Sequence, residues 1–470
     1  MERVKMLLRG LHWAHLASRL DHGHATATIR DATGDGGHSR DGGSRDLDSI
    51  AAAFAAAPGD GQRLLRFATG LDLAVEVFDV PGGFLAMSNI APFERGQERV
   101  TASGKGFDAA RSVLACLGEA AEISSWACRT VDLGNSVGTA SLGDGTRIDA
   151  ANVLGFSSYQ IGNRHRLNRA WDGWDVIPAP AQLVDPGLWR SVETFHGDRN
   201  AFCPAFLCLG RFGDMAFGDA SLNVDSNGCA AGPTREDARK RALLELVERD
   251  ATGIWWHRGC VRTRLDIAGL GDPALPDHIG RHREETGRRL WLLDISSFRA
   301  ARVVAAVSCE DSGEGMAVGF GAGFSMVKAA RSAFLELIQS ETALQAHEER
   351  KKRAKPGPAG AQDCRIERWK RFGDVRNFRF ATGQPSDRQS DARECQFEDL
   401  LGEIETGCGQ PVWFADLSRP DIDVPVAKAI CEGLSHFKVR LGCARNASSS
   451  LASVASRALR GLSEARKLLI

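Results

Sequence analysis

Two glutamates three residues apart, Glu245 and Glu248, are the residues of this chain whose spacing first suggests chemistry, and Arg249 lies beside them. Side chains three apart share one face of a helix, so this pair would present two carboxylates side by side. Like charges at that range are unfavourable unless protons or cations intervene. Carboxylate oxygens without histidine or cysteine suit a hard cation such as magnesium. A solvated helix face would use the same residues, so the rest of the chain has to decide between the two.

The chain repeats this arrangement in two further places. Residues 104–122, 230–248 and 321–339 align without a gap. The third position of each segment is glycine, the sixteenth is glutamate and the nineteenth is glutamate or glutamine; these are Gly106, Gly232 and Gly323, then Glu119, Glu245 and Glu336, then Glu122, Glu248 and Gln339. An internal repeat of this kind defines an architecture. If the segments pack around a common centre, their carboxylates converge on one pocket; otherwise they are copies of a packing unit with exposed acidic ends.

Each repeat predicts a glycine turn that leads into an amphipathic helix, because glycine adopts backbone angles closed to other residues. Strand-like runs rich in β-branched or aromatic residues alternate with these helical patterns. The clearest runs are DLAVEVFDV, RLWLLDIS, ARVVAAVSC and PVWFADLS. The sequence therefore predicts an α/β (α+β) fold, in which three Gly-turn/helix repeats pack with mixed sheets around a central site.

Composition divides the chain into three parts. Residues 20–50 are polar, rich in glycine and aspartate and without an apolar period, so residues 1–55 are expected to be a disordered extension whose removal leaves the body intact. Residues 56–445 carry the repeats and the strand-like runs. Residues 446–470 place apolar side chains on one helical face and arginine and lysine on the other, which predicts an amphipathic helix.

The bulk properties disfavour several classes of partner. A formal net charge of −1 gives no reason to expect nucleic acid or an anionic membrane as a partner. No apolar run is long enough to span a bilayer. The 12 cysteines are scattered without a CxxC pair or a zinc-ligand spacing, as expected of buried free thiols in a reducing cytosol. The expected localisation is therefore cytoplasmic.

The repeats and their surroundings resemble the YcaO family, ATP-dependent enzymes that activate peptide backbone amides. SGKGFDAARSVLACLGEAAE resembles the first Gly-Lys-Gly helix of that family, and GFGAGFSMVKAARSAFLELIQ is similar to its third helix. SNGCAAGPTREDARKRALLELVERDA is similar to its most characteristic stretch. The resemblance extends over residues 60–440. It implies a YcaO-like catalytic domain over residues 56–445 that binds ATP and Mg²⁺ among the three repeat helices.

The resemblance also implies roles for individual residues. The magnesium ions that bridge the phosphates would be held by Glu119, Glu122, Glu245 and Glu248. Lys105 and Arg249 would offset phosphate charge, and Gln339 would contact the nucleotide. Asp237, which replaces a glutamate of the family, belongs to the same nucleotide-binding set. No catalytic residue is identified.

Three positions depart from the family pattern. Ala230 and Pro233 stand where many relatives have serine and asparagine, and Ile123 stands where the first repeat often has arginine. These departures leave open whether ATP binding is weakened. The alternative to an enzyme is therefore a non-catalytic YcaO-like scaffold that binds a precursor peptide or a partner enzyme.

For an enzyme, the resemblance implies attack of a nucleophile on a backbone amide, phosphorylation of the amide oxygen and loss of phosphate. The product is an azoline, a thioamide or a macroamidine, according to the nucleophile. Azoline-forming relatives typically end in a proline-rich tail, whereas no proline follows Pro425 here and residues 446–470 predict a helix. Thioamide formation is therefore the first expectation and azoline formation the second. The expected partners are a precursor peptide and a TfuA-like or leader-peptide-binding protein, and a homodimer stays open.

Overall fold

The computed structural model of the chain describes residues 5–11, 50, 52, 54, 60–94, 98–171, 175–353, 361–385, 394–443 and 445. Its strands are β1 (Lys5–Leu11), β2 (Val75–Val80), β3 (Gly83–Ile90), β4 (Val100–Gly106), β5 (Val137–Gly138), β6 (Leu188–Glu193), β7 (Asn200–Pro204), β8 (Cys229–Ala231), β9 (Thr263–Arg264), β10 (Arg289–Asp294), β11 (Arg302–Cys309), β12 (Ala317–Gly323), β13 (Trp413–Asp416) and β14 (Val426–Ile430). Its α-helices are α1 (Asp60–Gly70), α2 (Ala109–Trp126), α3 (Thr130–Gly134), α4 (Ala150–Leu154), α5 (Ser158–Gly162), α6 (Arg164–Trp171), α7 (Pro180–Val184), α8 (Ala205–Cys208), α9 (Phe212–Phe217), α10 (Arg235–Arg258), α11 (Ala274–Thr286), α12 (Met326–Arg353), α13 (Ala361–Phe372) and α14 (Phe397–Cys408). Among these helices, none combines the length and the apolar character needed to cross a membrane.

The strands form three antiparallel sheets. The first has the order β1-β2-β3-β4, the second β12-β11-β10-β9 and the third β5-β6-β13-β14-β8, with β7 paired to β6. The strands β4, β12 and β8 therefore lie at sheet edges, and each leads into one repeat helix. Helix α2 packs on β4 and β3, α12 packs on β12 and β11, and α10 packs on β14 and β8. The predicted mixed α/β architecture is confirmed, and the four predicted runs form β2, β10, β11 and β13.

The glycines of the repeats allow close packing and do not form left-handed turns. Gly106 and Gly323 end β4 and β12, Gly232 follows β8, and none of the three has a positive φ. A Cβ atom on Gly106 would lie 2.8 Å from the backbone nitrogen of Ser112, and one on Gly232 would lie 2.4 Å from that of Ala238. The special backbone angles predicted for these glycines are therefore wrong: the short distance between strand and helix is what requires glycine at the start of each repeat.

Two further glycines, in the first and third repeats, show the same packing. A Cβ atom on Gly104 of β4 would lie 1.9 Å from the carbonyl oxygen of Ser112, and one on Gly321 of β12 would lie 2.5 Å from that of Ala329. Strand and helix therefore meet backbone to backbone in the first and third repeats. This close approach places each helix directly against its edge strand.

Helix α10 has a cap at each end. Its first turn is capped by Thr234, whose hydroxyl oxygen accepts the backbone N–H of Asp237 at 3.1 Å. It ends at Gly259, which has a φ of 65°. Trp255 and Trp256 near its C-terminal end are fully buried in the core between the second and third sheets. The helix is thus fixed at both ends, and this holds its middle turns in place.

The disorder predicted for residues 1–55 does not hold for all of them. Lys5–Leu11 forms β1, which pairs antiparallel with β2 at the edge of the first sheet. Ile50 and Phe54 are buried in the core shared by the first sheet and α2. The few apolar residues of this polar segment form no hydrophobic period that the sequence could reveal. They are ordered by pairing with the open edge of the first sheet and by burial in its apolar core. The helix predicted over residues 446–470 lies outside the described residues.

Candidate active site

A cavity of about 1120 Å³ lies where the three repeats meet. One edge strand of each sheet borders it: Lys105 of β4, Ala230 and Ala231 of β8, and Phe320 of β12 belong to its wall. The repeat helices α2, α10 and α12 complete the wall. Small-molecule sites usually measure about 300–1,000 Å³, so this cavity has room for more than one small ligand group.

Five glutamates of the repeat helices line the cavity. They are Glu119 and Glu122 of α2, Glu245 and Glu248 of α10, and Glu336 of α12. The sequence therefore predicted the convergence correctly: the three segments pack around a common centre and do not expose their acidic ends separately.

Backbone N–H groups beside the cavity favour the charged form of four of these carboxylates. The N–H of Ser103 in β4 opposes the rise in the pKa of Glu119, and the N–H of Phe320 in β12 contributes to the lowered pKa of Glu336. The N–H of Ala231 in β8 opposes the rise in the pKa of Glu122, and the N–H of Gly228 just before β8 opposes that of Glu245. Backbone groups at the sheet edges thus offset part of the cost of burying these carboxylates.

Two cations are paired inside this cluster. The Nζ atom of Lys105 lies 2.8 Å from Oε2 of Glu336. The guanidinium of Arg249 lies 3.8 Å from Oε1 of Glu245 and 3.5 Å from Oε1 of Glu248. Five carboxylates in one partly buried site repel one another, and such repulsion favours protonation or the binding of further cations.

Gln339 links the third repeat to the first. Its Nε2 group donates to Oγ of Ser103 at 2.8 Å, and that oxygen lies 3.4 Å from both carboxylate oxygens of Glu119. The amide of Gln339 therefore acts on the orientation of Glu119 through one hydroxyl group.

Burial raises the pKa of four of the glutamates. It raises the pKa of Glu119 to about 7, and it raises the pKa of Glu248 to about 7 although Arg249 opposes the shift. Burial also raises the pKa of Glu245, and for Glu122 repulsion from Glu245 and Glu119 adds to the effect of burial on the pKa. Carboxyl groups of this kind hold protons near neutral pH, and a divalent cation that binds them displaces those protons.

Glu336 is the exception among the five. Burial would raise its pKa, but the charges of Lys105 and Arg249 outweigh burial and hold the pKa below its ordinary value. Glu336 is therefore the internal counter-ion of Lys105. The other four glutamates are the carboxylates left for a metal ion.

The donor set fits Mg²⁺ better than a transition metal, because the four remaining ligands are all carboxylates. They do not close a cage around one ion: in the described part of the chain, only His347, Glu348 and Glu367 bring three potential ligand atoms within 4.8 Å of one another. Magnesium usually takes one or two carboxylates and completes its shell with water and phosphate oxygens. The open arrangement of the cavity carboxylates therefore fits ions that a phosphate group would share.

The group formed by His347, Glu348 and Glu367 lies elsewhere, where α12 contacts α13. Lys351 pairs with Glu367 at 3.0 Å, and Lys370 pairs with Glu348. Two ammonium groups already occupy these carboxylates, so the group is an ion-pair network between the two helices.

The residues predicted for the site line the cavity, with one exception. Lys105, Arg249 and Gln339 line it together with the four predicted metal ligands. Asp237 does not belong to the described residues that line it; its carboxylate accepts the hydroxyl of Thr234 at 2.8 Å in the first turn of α10. An acidic residue three positions after the cap is explained by helix capping, so the structure places Asp237 in the cap and not at the cavity.

The three positions that depart from the family pattern also lie at the cavity. Ala230, Pro233 and Ile123 all belong to its wall. An alanine, a proline and an isoleucine offer no side-chain hydrogen bond there. Any ligand of this wall must therefore be bound by backbone groups or by other side chains.

Sequence reasoning missed three basic residues at or near the site. Arg63 of α1 and Arg241 of α10 line the cavity. Lys428 of β14 is buried, and its charge acts on Glu122 and Glu245. Arg241 lies four residues before Glu245 on the same helical face, so the spacing could have revealed it. Arg63 and Lys428 lie outside the repeats, and no pattern in the sequence links them to the glutamates.

Comparison with known proteins agrees with this geometry. A family described as YcaO cyclodehydratase, ATP- and Mg²⁺-binding, matches residues 103–435. An uncharacterised protein of Methanothermobacter thermautotrophicus is 23% identical over 282 residues, which are 57% of this chain and 72% of that protein.

Solved structures of similar fold include two with bound ligands. A heterocyclase in complex with substrate and cofactor is 25% identical with a TM-score of 0.63, and the match covers 82% of this chain and 51% of that chain. The present chain thus spans about half the length of that heterocyclase. The YcaO protein of Methanopyrus kandleri bound with AMPPCP and Mg²⁺ is 19% identical with a TM-score of 0.58, and the match covers 83% of this chain and 92% of that chain.

Proposed function

Because the chain belongs to the YcaO family of ATP- and Mg²⁺-binding enzymes, we propose that it consumes ATP to activate peptide backbone amides for nucleophilic attack. The observation that supports this most strongly is the convergence of four glutamates from α2 and α10 on one cavity, where Arg249 is paired with two of them. Four partly buried carboxylates with raised pKa values are costly for a fold unless cations bind them. Such a set is explained by a metal–phosphate site and is not explained by packing.

In this proposal Glu119, Glu122, Glu245 and Glu248 hold Mg²⁺. When bound, Mg·ATP supplies the phosphoryl group that turns the amide oxygen into a leaving group, while Mg²⁺ offsets the phosphate charge. Ions at Glu245 and Glu248 would compete with Arg249 for the same oxygens, because the guanidinium lies within 4 Å of both carboxylates. The guanidinium then becomes available to a phosphate group.

Lys105 keeps a defined position beside this site. Its ammonium lies 2.8 Å from Oε2 of Glu336, and its charge helps to hold the pKa of that carboxyl below its ordinary value. The positive charge is therefore held at the cavity wall before any ligand arrives, which removes the entropic cost of ordering a long side chain on binding. Apolar side chains of Leu244 and Trp369 on the same wall limit the access of water.

For the product, we propose thioamide formation with a sulfur-delivering partner of TfuA-like type, with azoline formation as the second candidate. The course of the chain after β14 supports this order. The described residues of the cavity wall end at Val424, and Arg445 is ion-paired at 2.8 Å with the buried Asp250 of α10. Asp250 belongs to a different face of α10 from Glu248 and also accepts the backbone N–H of Ser435 at 2.8 Å, so the segment from Ser435 to Arg445 is anchored on that other face of the helix.

The substrate in this proposal is a precursor peptide, recognised with the help of a leader-peptide-binding protein. The mass of the modified peptide separates the two products. Replacement of an oxygen by a sulfur marks a thioamide, and loss of one water per site marks an azoline. A product lacking one water and obtained without a sulfur source would contradict the thioamide proposal.

The test of the activity uses Glu245→Gln and a matched control on the same helix. Gln keeps the size of the side chain but removes the charge that would hold Mg²⁺, so we expect at least a tenfold loss of Mg·ATP affinity in calorimetry. The control is Glu236→Gln, because Glu236 is exposed in the first turn of α10 and is paired with Lys240. Equal binding by the wild type and Glu245→Gln would refute the metal assignment.

The non-catalytic scaffold is the second candidate, and the residues Ala230, Pro233 and Ile123 at the cavity wall favour it. A scaffold binds the precursor peptide without consuming ATP. An enzyme releases phosphate, and does so faster when the peptide is added. Peptide binding without any phosphate release, in the presence of the partner protein and Mg·ATP, would support the scaffold.

A further inference from the structure

Two arginines outside the carboxylate cluster line the cavity where α10 begins. Arg63 of α1 donates from Nη1 to the carbonyl oxygen of Pro233 at 2.9 Å. Arg241 of α10 donates from Nη1 to the carbonyl oxygen of Ala231 at 3.2 Å. The two carbonyls belong to residues two apart in the segment that joins β8 to α10, so they lie within about 7 Å of each other along the chain. The guanidinium groups are therefore held on one short stretch of backbone.

These arginines differ from the inner cations in their charge balance. Lys105 and Arg249 each have a carboxylate within 4 Å. Within the described ranges, neither Arg63 nor Arg241 has an acidic side chain within that distance. Asp237, one turn before Arg241, would be the natural partner, but its carboxylate is engaged by the hydroxyl of Thr234. The positive charge at this end of the cavity is thus not neutralised by these residues.

The remaining hydrogen-bonding capacity of the two arginines is large. A guanidinium carries five N–H donors in a planar fork that matches the oxygens of a carboxylate or a phosphate. The backbone carbonyl takes one donor of each arginine and fixes the position of the group. Arg63 is half-buried and Arg241 is exposed, so a ligand in the cavity can reach both. Two oriented guanidinium groups on one wall are an arrangement that binds oxyanions.

We propose that Arg63 and Arg241 form an oxyanion-binding site at this end of the cavity. The site takes a carboxylate of the peptide substrate or a phosphate of the nucleotide, which present the same chemistry to a guanidinium. This inference rests on the proposed function, because it concerns a group of the substrates that the same cavity receives.

The test compares wild type, Arg241→Gln and Arg63→Gln in direct binding measurements without turnover. The nucleotide arm uses Mg·ATP and the uncharged nucleoside adenosine. The peptide arm uses a capped pentapeptide that contains one glutamate and its glutamine counterpart. Arg235→Gln is the matched control, because Arg235 is an exposed arginine of the first turn of α10, is paired with Asp416 at 3.4 Å and does not line the cavity.

If the oxyanion is a phosphate of the nucleotide, Arg241→Gln and Arg63→Gln should each lose about tenfold in Mg·ATP affinity, while adenosine binding is unchanged. A loss of this size is expected when one charge-assisted hydrogen bond is removed. If the oxyanion is a carboxylate of the peptide, the variants should show an equal loss of affinity for the glutamate peptide and none for its glutamine counterpart. Arg241 is exposed, so its variant keeps the thermal midpoint of the wild type and the loss cannot be attributed to unfolding.

Equal affinity of the wild type and both variants for each anionic probe overturns the proposal, and so does a wild type that binds none of them. Failure of the proposed function gives a different result. In that case the wild type does not bind Mg·ATP, whereas an arginine-dependent preference for the glutamate peptide still supports the site.

Discussion

Replacing Glu248 by glutamine in the metal-free protein is the sharpest perturbation that the carboxylate cluster offers. The side chain is 11% exposed, its carboxylate lies 3.5 Å from Arg249, and the substitution keeps its size while removing its charge. Arg249 keeps Glu245 as a partner in the variant, so no buried cation is left without a counter-ion. The substitution therefore tests one charge in one site.

The magnitude follows from the shift in the pKa of Glu248 on folding. Burial raises this pKa from 4.5 to about 7. Between these two pH values the folded state keeps a proton that the unfolded state has released, so the free energy of unfolding falls as the pH rises through this window. Each pKa unit corresponds to about 1.4 kcal/mol, so ionised Glu248 costs the metal-free fold about 3 kcal/mol above pH 7.

Urea unfolding with a chelator at about pH 5 and about pH 8 measures this cost. We expect Glu248→Gln to be more stable than the wild type by up to about 3 kcal/mol at the higher pH, with little difference at the lower pH. Excess Mg²⁺ should reverse the order, because a ligand that binds only the folded wild type stabilises it. The control is Glu236→Gln, whose side chain is 62% exposed, and it should follow the wild type under all conditions.

If the free energies of unfolding of the wild type and of Glu248→Gln changed by the same amount between the two pH values, the reasoning would be refuted. It would also be refuted if Mg²⁺ stabilised both proteins equally. The first result would mean that the carboxyl group is not buried at a cost, and the second that it does not take part in binding the cation.

Two further predictions concern the packing that holds the site. Deletion of residues 1–55 removes β1 and the buried Ile50 and Phe54, so we expect the free energy of unfolding to fall by about 3 kcal/mol or more; a deletion variant with an unchanged urea midpoint would contradict the burial of these side chains. Gly104→Ala places a Cβ atom 1.9 Å from a backbone oxygen, so we expect it to lower the free energy of unfolding by about 3 kcal/mol or more in the same assay. Gly280→Ala in α11 is the matched control, because nothing lies within 4 Å of the added Cβ atom, and we expect it to raise the free energy of unfolding by up to about 1 kcal/mol. Similar effects of both alanines would show that strand and helix do not meet closely in the first repeat.

The sequence was sufficient to predict those parts of the site that repeat. Glu119, Glu245 and Glu336 share one position in three segments, and the shared register alone predicts that they converge. The β-branched or aromatic residues of runs such as RLWLLDIS likewise predicted strands. Local composition and repeat register carry this information without any knowledge of the partner element.

Features that depend on distances between elements could not be predicted in this way. The sequence predicts special backbone angles at Gly106, because it does not show how closely a helix crosses a strand. Arg63 and Lys428 reach the site from elements outside the repeats, and no spacing along the chain connects them to the glutamates. The strand Lys5–Leu11 depends on an open edge of β2, which exists only once the first sheet has formed.

The cavity lies where three sheets end, and this has a consequence for the solubility of the protein. An edge strand is a template on which another chain can add by backbone pairing, and proteins protect such edges with charge. Here Glu119, Glu122 and Glu336 bring negative charge beside Ser103, Ala231 and Phe320, one residue from the edge strand of each sheet. Substitution of these glutamates by alanine removes that charge from three strand edges at once. Such variants are expected to form intermolecular β-structure and precipitate, so the loss of soluble protein would report unprotected edges and would say nothing of metal binding.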